Sequence, residues 1–145
     1  NYIQDLTFMT SQPLPVSSKN RPRSLLLSPD YHCRAVLSDF FDDYAYPLIC
    51  QSSLKEMVLK GADDGADLLI LDDDLGEMTP YEALRILRAK IENPSSAKAI
   101  LLTGGATRRV LERARRAGFD AVIAKPIMPA LFLRTLKNLT LSLAA

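Results

Sequence analysis

Five short apolar runs alternate along this chain with longer amphipathic segments, and that alternation limits the possible folds more than any other feature. The runs are Ser24–Leu27, Pro47–Cys50, Leu68–Leu71, Ala99–Leu102 and Ala121–Ile123, each bounded by turn-forming or charged residues. Apolar runs too short for a helix read as strands covered on both faces. Between them, Cys33, Val36, Leu37, Phe40 and Phe41 recur at helical spacing, as do Ala83, Leu84, Leu87 and Ile91, and then Val110, Leu111, Ala114 and Ala117. A weaker helical segment covers about 52–60. The last runs from about 129 to 143, with Phe132, Leu136, Leu139 and Leu143 inward. Strands alternating with helices imply crossover connections, so the chain is predicted to be α/β: a doubly wound, five-stranded parallel sheet with five helices. The helix ends agree. Thr79-Pro80-Tyr81-Glu82 is a capping box with proline at the first helical position, Ser28-Pro29-Asp30 opens the first helix, and Gly118 closes the fourth.

Residues 1–22 are rich in Ser and Pro, show no sustained periodicity and read as a linker or N-terminal extension; the domain is expected over 23–145. The chain opens on Asn1 without an initiator methionine, as expected for a domain cut from a longer protein. With 145 residues, 48% apolar and 24% charged, it can bury one substantial core, which excludes disorder for most of its length. No apolar run approaches the roughly 18 residues of a membrane helix, and the start lacks a signal-peptide layout. Cys33 and Cys50 sit in apolar segments without metal-ligand spacing and are expected in the core. These features lead to the expectation of a cytoplasmic domain with no membrane contact of its own, compatible with a membrane-anchored parent. Charge is divided: residues 1–80 carry 6 basic and 13 acidic side chains, residues 81–145 carry 12 and 4. An acidic region and a basic helix on one surface suit partner docking.

In an open parallel sheet the ligand site lies beyond the carboxyl ends of the strands. Those positions hold Ser28 and Pro29, then Asp72, Asp73 and Asp74, then Thr103 and Gly104, then Lys125 and Pro126. A carboxylate, a hydroxyl and an ammonium on one rim can take a phosphoryl group, donate to one of its oxygens and neutralise the others.

The stretch from about Arg23 to Leu139 resembles the receiver domain of two-component signalling proteins, a flavodoxin-like fold. Asp67-Leu68-Leu69-Ile70-Leu71-Asp72 followed by Leu75-Gly76-Glu77-Met78 resembles the phosphoacceptor strand and its loop, with Gly76 where proline is usual. Ile100-Leu101-Leu102-Thr103-Gly104 is similar to the strand ending in the switch hydroxyl, and Lys125-Pro126 to the family's Lys-Pro pair. The resemblance implies that Asp72 is the phosphoacceptor, that Thr103 swings toward the phosphoryl group, and that Lys125 is its counter-charge across a cis Lys125–Pro126 bond. It implies a histidine kinase or phosphotransfer domain as partner, with other domains of the same chain and a homodimer as further partners. The parent protein is then a hybrid sensor histidine kinase or another multidomain regulator, and this domain is not itself the enzyme.

Two departures from the family pattern modify that expectation. Ser28 and Pro29 stand where receivers carry the acidic pair that holds Mg²⁺. Mg²⁺ needs oxygen ligands in near-octahedral order, so binding is predicted to be weak, with Asp30 as a substitute ligand beside Asp72 and with alternation along the strand turning Asp73 away. Val122 stands where the family has Tyr or Phe, which weakens the usual readout at the interaction face. A degenerate receiver, or pseudo-receiver, acting as an interaction module is the leading expectation; a working Mg²⁺-dependent phosphoacceptor is the alternative. His32 is alone and reads as a first-helix surface residue. The fourth helix carries Arg108, Arg109, Arg113, Arg115 and Arg116 within nine residues. Such a run is commonly a solvated face, but it also suits a docking domain or a nucleotide second messenger such as a cyclic dinucleotide. DNA is not expected, since no recognition-helix motif is present. A different class is also represented: Asp72-Asp73-Asp74 resembles the Asp-x-Asp start of haloacid-dehalogenase-type phosphatases. That strand usually comes first in those domains and an acidic metal motif follows, whereas no Asp or Glu occurs after Lys125.

Overall fold

The computed structural model describes residues 5–7, 22–59, 65–91 and 97–139. In chain order the elements are β1 (Asp5–Thr7), β2 (Ser24–Leu27), α1 (Tyr31–Asp43), β3 (Leu48–Gln51), α2 (Leu54–Leu59), β4 (Leu68–Asp72), α3 (Pro80–Lys90), β5 (Lys98–Thr103), α4 (Arg108–Ala117), β6 (Ala121–Ala124) and α5 (Pro129–Leu139). The sheet order is β1-β6-β5-β4-β2-β3, and β2 to β6 pair in parallel throughout. The expected five parallel strands and five helices are present. The proposed extension of α5 to 143 lies outside the described residues.

Because side chains alternate along a strand, each central strand feeds two cores. Leu25, Leu27, Leu69, Leu71, Ala99 and Leu101 meet Met57 of α2, Leu84 and Leu87 of α3, and Ala114 of α4. Leu26, Leu68, Ile70, Ile100 and Leu102 meet Leu37, Phe40 and Phe41 of α1 and Phe132 and Leu136 of α5. Phe132 stands edge-on to Phe40 and Phe41, with centroids 5.2 and 6.0 Å apart, a geometry aromatic pairs favour. β3 is only half-buried, because it is an edge strand with β2 as its one neighbour.

β1 lies inside the segment expected to be a linker or extension. It pairs antiparallel with β6, in the register Asp5↔Ile123, Leu6↔Val122 and Thr7↔Ala121, and so makes the sheet six-stranded. An antiparallel strand added there covers backbone groups that β6 would otherwise present at an open edge.

The caps form as the sequence dictates. Thr79 accepts from the Glu82 amide while Glu82 reaches back to the Thr79 amide, and Asp30 caps α1 by accepting from the His32 amide. Gly118 ends α4 at φ 103°, a left-handed conformation that glycine adopts without Cβ strain.

Candidate phosphoacceptor site

Parallel pairing brings the ends of β2, β4, β5 and β6 to one rim, where Ser28, Asp72, Thr103 and Lys125 gather. Asp72 is 1% exposed, so its carboxylate needs internal partners. The Ser28 hydroxyl donates to Oδ2 at 2.6 Å and the Lys125 ammonium donates to Oδ1 at 2.6 Å. The Asp74 amide adds a longer bond to Oδ1 at 3.3 Å. Burial pushes the Asp72 carboxyl upward, but the bonds from Lys125 and Ser28 outweigh it and hold the group below its ordinary value. Burial acts downward on Lys125, and its contact with Asp72 outweighs that and raises it. Both directions describe a charged pair. The Lys125–Pro126 peptide is cis, as the resemblance implied.

Asp73 does not turn away from the rim, contrary to the alternation argument. Strand geometry stops at Asp72, and the Asp73 amide donates to the Leu102 carbonyl at 2.9 Å as the chain bends. Past that bend the two-residue period no longer sets side-chain direction. The Asp73 carboxylate lies 4.0 Å from the Lys125 ammonium and accepts from the Thr103 hydroxyl at 2.8 Å and the Gly104 amide at 2.9 Å. Thr103 is thus directed at Asp73. The Gly105 amide donates back to the Thr103 hydroxyl at 3.1 Å, which ties the turn before α4 into the same network.

The residues present do not fit Mg²⁺. Both Asp72 oxygens already accept from donors, Ser28 presents its hydroxyl proton to one of them, and Pro29 has no side-chain oxygen. Asp30, expected as a substitute ligand, is exposed, and its carboxylate caps α1 by accepting from the His32 amide at 2.9 Å. Among the described residues no group of three His, Cys, Asp or Glu side chains could hold a metal ion. A cation needs several free oxygen lone pairs in one place, and at this rim the Asp72 and Asp73 carboxylates are turned toward the Ser28, Thr103, Gly104 and Lys125 donors.

Arg108, Arg109 and Arg113 are exposed on α4. The Arg113 guanidinium lies 4.2 Å from the Tyr81 ring centroid, and Tyr81, Arg109, Arg113, Arg116 and Ala117 line a groove of about 440 Å³. A second groove of about 380 Å³ runs from the loop after β4 past Thr103 to Val110 and Arg113. Val122, placed with these arginines by the sequence reading, is 1% exposed in the core between sheet and helices, so it offers a partner no surface. His32 is exposed in the first turn of α1, and Cys33 is buried, its thiol pushed up by burial. Sequence reasoning missed three contributors: the Ser28 donor, the Asp73 acceptor and the Tyr81 ring. Ser28 and Asp73 carried a signal, since Ser28 directly follows an apolar run that ends at the rim and Asp73 stands one residue further along, after Asp72.

No family model matches the sequence, and no curated protein matches it. Solved structures do match. The chemotaxis protein CheY4 of Vibrio cholerae superposes with a TM-score of 0.74 at 19% identity, over 82% of this chain and 98% of that one. The receiver domain of sensor histidine kinase PA1611 from Pseudomonas aeruginosa, with a magnesium ion coordinated in its active-site cleft, gives 0.70 at 21% identity, over 86% and 99%. The receiver domain of Ssk1 from Saccharomyces cerevisiae, solved with the histidine phosphotransfer protein Ypd1, gives 0.72 at 15% identity, over 86% and 92%. The chain therefore has the fold of CheY-like receiver domains.

Proposed function

We propose that this chain is a receiver-type domain of a phosphorelay in which Asp72 occupies the phosphoacceptor position, and that its site is degenerate. The observation that carries the reading is the buried Asp72 carboxylate clasped between Lys125 and Ser28 on the rim of a receiver fold. The lysine is the partner a phosphoryl-accepting aspartate requires; the serine stands where a metal-binding acid would be needed. Held this way, the domain works by contact, presenting the α3–α4 surface and its arginines to a histidine kinase, a phosphotransfer protein or another domain of its own chain. The Ssk1 complex supports a phosphotransfer partner. No helix among the described residues is long and apolar enough to cross a membrane. Asp74, the second acid of the Asp-x-Asp pattern, accepts from the Gly76 amide at 3.3 Å and so helps hold its own loop, which does not favour the phosphatase alternative.

The test is intact mass after incubation with acetyl phosphate and Mg²⁺, beside Asp72→Asn. The expected result is no added phosphoryl group on either protein. A single addition that Asp72→Asn abolishes would replace this reading with that of a working phosphoacceptor.

A further inference from the structure

An oxyanion seated beside Asp72 needs proton donors for its oxygens. The rim provides three: the Thr103 hydroxyl, the Gly104 amide and the Lys125 ammonium. In this chain the carboxylate of Asp73 already faces all three, at 2.8 Å, 2.9 Å and 4.0 Å. We propose that Asp73 is a built-in anion that occupies the oxyanion corner of the rim and holds the turn before α4 in an anion-bound arrangement without phosphorylation. The identity of the anion it replaces rests on the receiver reading above; the contacts themselves do not.

The placement follows from the backbone. The bond from the Asp73 amide to the Leu102 carbonyl fixes residue 73 opposite the end of β5, where its carboxylate reaches Thr103. Thr103 in turn receives the Gly105 amide, and Thr107 caps α4 by accepting from the Val110 amide. Hydrogen bonds therefore lead from Asp73 through Thr103 to Gly105, and the backbone continues two residues further to Thr107, the cap of the arginine-bearing helix. A fixed charge in this corner also repels a second anion arriving at Asp72, since the two would share Lys125. Asp73 is thus a positioning residue that both fills the corner and guards it.

The experiment uses amide spectra of the whole chain as wild type, Asp73→Ala and Asp73→Asn, with inorganic phosphate as the probe. In wild type the Gly104 amide is expected to be protected from exchange and to keep its chemical shift as phosphate is added. In Asp73→Ala its exchange is expected to accelerate about tenfold or more, and its shift to move saturably with phosphate. Asp73→Asn keeps an acceptor oxygen and is expected to retain most of the protection; it also serves if the alanine variant fails to fold. Overturning results are Gly104 exchange unchanged in Asp73→Ala, a wild-type response to phosphate equal to the variant's, or, should Asp73→Ala not fold, an Asp73→Asn protein whose Gly104 protection is lost. Acetyl phosphate labelling addresses the receiver reading and leaves these exchange rates untouched, so failure of one is distinguishable from failure of the other.

Discussion

Asp72 and Lys125 stabilise each other by direct contact at 2.6 Å, and the cost of separating them is asymmetric. Replacing Lys125 by Met keeps much of the side-chain bulk but leaves a buried carboxylate with only Ser28 and the Asp74 amide. The expected loss is about 2 to 3 kcal/mol in denaturant unfolding at neutral pH, below that of a fully enclosed pair because a quarter of the Lys125 side chain reaches solvent. The pH dependence has a definite sign. Asp72 is held below its ordinary 3.8, so its contribution is present above that value and lost as pH falls through the folded value. Lys125 is raised above 10.5, so its contribution is present below 10.5 and lost as pH rises through its folded value. The stability gap between wild type and Lys125→Met should stay level between about pH 5 and 9 and close at both extremes. A gap that varies within that window would mean that other groups control it. Asp72, Thr103 and Lys125 were legible in the sequence because each ends a short apolar run, and parallel strands must bring such ends together. The Ser28 and Asp73 contacts were not, since they join residues 44 and 30 positions apart through side-chain directions that no periodicity encodes.

Elements at the opposite end of the sheet are tied by one arginine. Arg88 of α3 donates to the Gly118 carbonyl at 2.8 Å and the Ala97 carbonyl at 3.0 Å, and its guanidinium lies 3.5 Å from Asp120, which accepts from the Ala99 amide. Gly118 is pinned twice over: its φ of 103° disfavours any Cβ, and a Cβ built there would meet the Arg88 guanidinium at 2.6 Å. An arginine tip usually yields, but this one would have to surrender bonds that join α3, α4 and β5. Gly118→Ala is therefore expected to cost about 2 kcal/mol, read as a lowered denaturation midpoint with unchanged slope. Suppression of that loss in an Arg88→Ala background would assign it to the contact; persistence of the whole loss would assign it to the backbone conformation. The helix stop was legible from Gly118 alone, whereas the arginine beneath it depended on how two helices and two strands meet.

For the whole molecule, β1 closes the edge of the sheet beside β6. The described residues of both hydrophobic cores lie within 22–139, so removing residues 1–21 should leave the parallel sheet and its helices in place while freeing the outer backbone groups of β6. The amides of residues 121–123 that face β1 are expected to exchange faster in the shortened chain, and an open edge should favour self-association at high concentration. Unchanged exchange along β6 would show that β1 contributes no lasting protection. The alternation of apolar runs with amphipathic helices determined a doubly wound parallel sheet whose strand ends share one rim, and the resemblance of the motifs at Asp72, Thr103 and Lys125 pointed to the receiver type. Tertiary structure decided the rest: that Asp-Leu-Thr near the start finds β6, that Val122 faces the core, and that Asp73 claims Thr103 and Gly104. Periodicity reports which face of an element is buried; it carries no information about which polar atoms meet once the chain leaves that element, and those meetings set the chemistry of the site.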